Sequence, residues 1–148
     1  SEVSRAYGIA NMEESTERLI SLLDAVDTER LLLVGHNGPL GLGDRKTDIW
    51  GADFLPEGGD WGDPDLAAAV VRAEERGLQT IVVAGHMHQR TKSGELWPWR
   101  VVRNGVEFVN PARVPRIYAG DAYEVRYHIA LEIDGEEATL REVAWPSG

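Results

Sequence analysis

Three of the four histidines in this chain cluster around two short motifs, Gly35-His36 and Gly85-His86-Met87-His88. Imidazole suits Zn, Mn, Fe and similar ions, and such ions activate water for hydrolysis. The chain has no cysteine, so a metal must be held by His, Asp, Glu or Asn. A lone histidine at a strand end is more often a hydrogen-bonded surface residue. Two Gly-His pairs in the same context, with a Gly- and Asp-rich loop between them, favour a metal instead. The fourth histidine, His128, lies mid-strand among polar-face residues and is expected to be structural.

The elements around these motifs would bring the imidazoles together. The apolar run Leu31 to Val34 reads as a strand covered on both faces, stopping at Gly35-His36. A second buried strand, Thr80 to Ala84, stops at Gly85-His86. In open α/β sheets ligands collect at the carboxyl ends of strands, so His36, His86 and His88 should meet at one edge. Their nitrogens are expected about 4–8 Å apart, within reach of a common metal cluster. The glycine ahead of His36 and the one ahead of His86 are expected to let the backbone turn sharply there.

Two amphipathic helices flank the first strand. Asn11 with Glu14 marks a capped start, and Leu19, Leu22, Leu23 and Val26 follow on one face, ending near Asp27. Asp63 as N-cap, Pro64 at the first turn and Gly77 as a stop bound the second. Between them, residues 37–62 form a loop long enough to be functional in a compact domain. Its carboxylates, Asp44, Asp48, Asp53, Asp60 and Asp63, suit turns and caps better than metal ligation. Trp50, Trp61, Trp97 and Trp99 cover a pocket or pack the loops, with packing favoured. The remainder reads as antiparallel. Val106 to Val109 is a short strand, and Val125 to Ile133 with Glu137 to Ala144 form a hairpin turning at Asp134-Gly135.

The 148 residues, 43% hydrophobic and 27% charged, have the balance of one globular domain. A formal charge of −10 disfavours long-range attraction to nucleic acid or to an anionic membrane. The apolar runs are too short to span a bilayer, and no basic segment leads into one. The expected setting is the cytoplasm.

Gly85-His86-Met87-His88 resembles the terminal Gly-His-x-His signature of calcineurin-like metallophosphoesterases. Val34-Gly35-His36-Asn37-Gly38-Pro39 resembles that superfamily's preceding isolated-His motif. The text from His36 to Gly43, from Gly59 to Leu66 and from Val109 to Arg116 is similar to a branch found in cyanobacteria and plant plastids. The resemblance runs from about Tyr7 to Arg116.

It implies an α/β chain, the carboxyl-terminal half of a four-layered α/β/β/α sandwich, with residues 1–148 as a partial metallophosphoesterase domain. It also implies two divalent ions, Mn, Fe or Zn, with His36 and His86 on one, His88 on the other, and a bridging hydroxide attacking phosphorus. Asn37, Arg113 and Arg116 become candidate contacts for a phosphorylated small-molecule substrate. Asn37 could instead hold the turn before Pro39, and the arginines could be ordinary surface residues.

The superfamily's upstream motifs, Asp-x-His, a Gly-Asp whose carboxylate bridges the metals, and Gly-Asn-His, do not occur. Gly43-Asp44, Gly59-Asp60, Gly62-Asp63 and Gly120-Asp121 share the Gly-Asp dipeptide, but none follows an apolar strand before His36. No catalytic side chain is therefore assigned. The expectation is a phosphoesterase half-site, inactive alone, whose partner is the missing amino-terminal half or a second copy of the chain. The alternative is a non-catalytic scaffold or interaction subunit of the same descent.

Overall fold

The computed structural model describes residues 2–88, 90–112, 117–119, 124–135 and 137–147. The substrate candidates Arg113 and Arg116 lie outside the described residues. Helices α1 (Glu2–Tyr7) and α2 (Met12–Asp24) lead into β1 (Arg30–Gly35); α3 (Pro64–Glu75) leads into β2 (Gln79–Ala84). Strands β3 (Arg100–Arg103), β4 (Val106–Val109), β5 (Ile117–Ala119), β6 (Glu124–Asp134) and β7 (Glu137–Ser147) follow. The chain is α/β with a mixed sheet, ordered β1-β2-β4-β3, and a separate antiparallel sheet, β5-β6-β7. No helix among the described residues is long and apolar enough to cross a membrane.

Local chemistry accounts for the helix ends. The Asn11 side chain accepts from the Glu14 N–H at 2.9 Å, and the Glu14 carboxylate reaches back to the Ala10 N–H at 2.8 Å. Helix α2 ends at Asp24, earlier than expected, and Ala25 caps it by donating to Ser21 O. At α3, Asp63 holds the extended N-cap backbone but makes no side-chain cap bond. Its carboxylate instead accepts the Asn37 amide at 3.2 Å. Arg72 then ties α3 to α2 through Asp24 at 2.8 Å.

Strands β1 and β2 run parallel in register, Gly35 opposite Ala84, which is the arrangement a β-α-β crossover requires. Helices α2 and α3 and the long loop cover one face. Leu31 and Leu33 pack there with Leu23, Ala69 and Ala73, while Val82, Ala84, Val106 and Phe108 pack with Leu66, Val70 and Trp50. The loop is part of this core, because Ile49, Trp50 and Ala52 are at most 1% exposed. Its ends are tied by Asp63 N–H donating to Gly38 O at 2.7 Å and Leu40 N–H donating to Asp63 O at 3.1 Å.

The structure corrects the expectation that β1 is covered on both faces. Among the described residues it is an edge strand paired only with β2, and Leu32 and Val34 on the second face are 44% and 74% exposed. Alternation places them opposite Leu31 and Leu33, where neither α2 nor α3 reaches. Strand β4 also departs from the antiparallel reading: it pairs parallel with β2 and antiparallel with β3. The β3–β4 turn, unforeseen, has Asn104 and Gly105 at φ 51° and 81°, the signature of a two-residue type I′ hairpin.

The expected β6–β7 hairpin is present, with Leu131 opposite Leu140. Asp134 is still paired, with Glu137, so the turn opens one residue later than expected, at Gly135 with φ 55°. Arg30 at the start of β1 donates to Gly135 O at 2.7 Å, bringing the hairpin tip to the end of the main sheet remote from the histidines. None of the described side chains of β6 and β7 is buried. His128 is exposed on β6 opposite Val143.

Candidate functional site

Because β1 and β2 are parallel neighbours ending at Gly35 and Ala84, the segments after them emerge side by side. His86 Nδ1 lies 3.3 Å from His36 Nε2, with the rings edge-on at an interplanar angle of 78°. The pair is closer than the expected 4–8 Å. His36, His86 and His88 are all exposed and line one open cleft of about 540 Å³ with Val34, Val83 and Pro111.

The backbone turn is made differently from the sequence expectation. His86 itself takes φ 73°, while neither Gly35 nor Gly85 has a positive φ. Met87 N–H donates to Gly85 O at 3.0 Å across His86, which with that φ is the mark of a classic-type γ-turn, a strained conformation for a residue bearing a Cβ. Gly35 is needed for space instead: a Cβ there would lie 2.8 Å from Asn37 O and 3.3 Å from the Leu66 side chain.

Two side chains hold the strained segment. The Trp50 indole N–H donates to Gly85 O at 2.9 Å. The buried Asn110 amide donates to Met87 O at 2.8 Å, and its own carbonyl accepts the Ala112 N–H at 3.0 Å. Gly85 N–H also donates to His36 O at 3.0 Å, coupling the two histidine segments directly. Sequence reasoning assigned neither Trp50 nor Asn110 this part. Asn110-Pro111 directly after a short strand was the available signal, whereas Trp50 is remote in sequence from the segment it holds.

Asn37 is placed inward. It is buried, and its amide donates to Trp61 O and to Asp63 Oδ1, so it closes the loop onto the start of α3. The loop carboxylates organise backbone: Asp60 accepts from Gly41 N–H at 2.7 Å and Gly62 N–H at 2.8 Å. Asp48 accepts from Arg45 N–H at 2.8 Å, and Asp53 from Lys92 N–H at 2.6 Å.

The donor set fits one ion in part. Two nitrogens bound tetrahedrally to one ion at about 2.0–2.1 Å stand roughly 3.3–3.4 Å apart, the spacing of the His36–His86 pair. Without a metal, one ring would donate to the other, the tautomers deciding which. Among the described residues, no group of three or more His, Asp or Glu side chains is gathered closely enough to hold a metal ion. The chain therefore presents two imidazoles 3.3 Å apart with a third lining the same cleft, and no described carboxylate joins them. Compared with protein-family models, curated proteins and solved structures, the chain matches none.

Proposed function

We propose that this chain supplies the His36, His86 and His88 half-site of a metal-dependent phosphoesterase of the calcineurin-like superfamily, acting on a small phosphorylated molecule. The observation that carries the reading is the 3.3 Å approach of His36 Nε2 and His86 Nδ1 at the carboxyl ends of adjacent parallel strands. His36 and His86 hold one divalent ion of the Mn, Fe or Zn type, and His88 contributes to a second. When bound, such ions supply an activated water and neutralise charge on the transferring phosphoryl group. Trp50 and Asn110 keep the His86–His88 segment in its strained form, so the imidazoles need little reorganisation to bind.

Three neutral imidazoles cannot balance two dications a few ångströms apart, so the working site requires carboxylates from a complementary element. That element is the amino-terminal half of the superfamily's domain. The open edge of β1 and the exposed Leu32 and Val34 beside the cleft are where added strands of a four-layered sandwich would pack.

The test is hydrolysis of an aryl phosphate with Mn²⁺, by this chain alone and by an assembly containing the carboxylate motifs. The expected result is turnover only in the assembly, reduced by orders of magnitude in His86→Ala. Turnover by the chain alone that survives His86→Ala would overturn the proposal. The same exposed edge favours a second reading, a non-catalytic interaction subunit. It is distinguished by an assembly that forms stably yet hydrolyses nothing.

A further inference from the structure

Alternation and register place Arg30, Leu32 and Val34 of β1 on one face of the main sheet, with Gln79, Ile81 and Val83 of β2 beside them. Helices α2 and α3 pack on the other face, against Leu31 and Leu33. Leu32 and Val34 are therefore left exposed.

The sheet β5-β6-β7 has an apolar face of its own. Val125, Tyr127, Ile129, Leu131 and Ile133 alternate along β6, and Leu140 and Ala138 of β7 pair with the last two. Val125, Tyr127, Ile129 and Leu131 are half-buried, whereas Arg126, His128 and Glu132 on the opposite face are exposed. A small sheet is stable by itself only when it buries such a face.

Two contacts join these faces at one end. Arg30, on the open face of the main sheet, donates to Gly135 O at the hairpin tip at 2.7 Å. Ala138, on the apolar side of the hairpin, lines a hollow of about 250 Å³ with Ile81 and Glu107, which are register partners on the open face. From that end the hairpin is long enough to cover the rest, since the 11 residues of β6 extend roughly 35 Å and the 6 of β1 roughly 20 Å.

We infer that in the free chain the β5-β6-β7 sheet folds down on the open face of the main sheet, with Leu131 and Leu140 over Val34, and Ile133 and Ala138 over Leu32 and Ile81. The result is a two-sheet sandwich whose layers lie about 10 Å apart. The tip contact makes the closure intramolecular, at an effective concentration on the order of millimolar. A second copy would instead bring a further net charge of −10 against the first. The inference does not rest on the phosphoesterase reading. A complementary element joining at β1 would displace the hairpin from Leu32 and Val34 or add to its sheet.

The test is NMR on the methyl-labelled chain, looking for NOEs from Leu32 and Val34 to Leu131 and Leu140. They are expected in the monomer, together with NOEs from Leu33 to Ala73 that report the helix-covered side intact. Leu131→Asp should abolish the cross-sheet NOEs and speed amide exchange along β6 at least about tenfold, while His128→Asp on the opposite face leaves both as they are. Absence of the cross-sheet NOEs in a chain that retains the Leu33 to Ala73 contact overturns the inference. So does their appearance only between differently labelled copies, or an equal effect of the two substitutions.

Discussion

The Asn110 side chain donates to the carbonyl oxygen of Met87 at 2.8 Å, so a buried residue after β4 grips the backbone between His86 and His88. Strand β4 lies beside β2, which is why a residue at the end of one strand can reach the segment leaving the other. Asn110→Ala would leave Met87 O without this partner. The expected loss is about 1–3 kcal/mol in urea denaturation. Metal affinity at His36 and His86 should fall about tenfold, in the range seen when supporting contacts of ligands are removed. Unchanged stability and unchanged affinity would show that the grip is incidental.

His86 carries a positive φ of 73°, which a glycine adopts without strain. His86→Gly should therefore raise stability by up to about 1 kcal/mol, the relief of strain being offset in part by the entropy of a more flexible unfolded chain. The same variant should lose metal binding. A gain in urea midpoint accompanied by loss of zinc affinity supports a residue kept for function; a lowered midpoint contradicts it.

Gly38 and Gly85 should respond very unequally to alanine. A Cβ at Gly38 would sit 2.0 Å from the Trp50 ring, itself buried and bonded to Gly85 O, whereas a Cβ at Gly85 meets nothing nearer than 3.5 Å. Gly38→Ala should cost about 3 kcal/mol or more, in the upper range for overpacking. Gly85→Ala should cost less than about 1 kcal/mol, as for an ordinary contact. Thermal unfolding of the pair compares them directly.

The elements that local chemistry defines were legible in the sequence. Asn11 and Glu14 form the expected reciprocal cap, and Val106–Val109 is the expected strand. The β6–β7 hairpin follows from alternation and a glycine turn. The convergence of His36 and His86 was legible too, because strands joined by one crossover are most often neighbours and ligands collect at their carboxyl ends. What escaped was set by distant partners. The run Leu31 to Val34 records apolarity and not which layers exist to cover it, so the exposure of Val34 was invisible. The Asn104-Gly105 dipeptide was a turn signal, yet β3 before it, Arg-Val-Val-Arg, lacks an apolar face strong enough to announce a strand. Trp50 looked like loop packing, and only the fold brings its indole to Gly85 O.

The most direct test of the account is a calorimetric titration with Zn²⁺ of this chain and of His36→Ala, His86→Ala and His128→Ala. Since the 3.3 Å pair is argued to be two ligands of one ion, the account predicts modest binding that weakens at least tenfold when either His36 or His86 is replaced. Replacing His128, exposed on β6, should change nothing. Binding that persists undiminished without His36 and His86 would contradict the half-site and move the chemistry elsewhere in the chain.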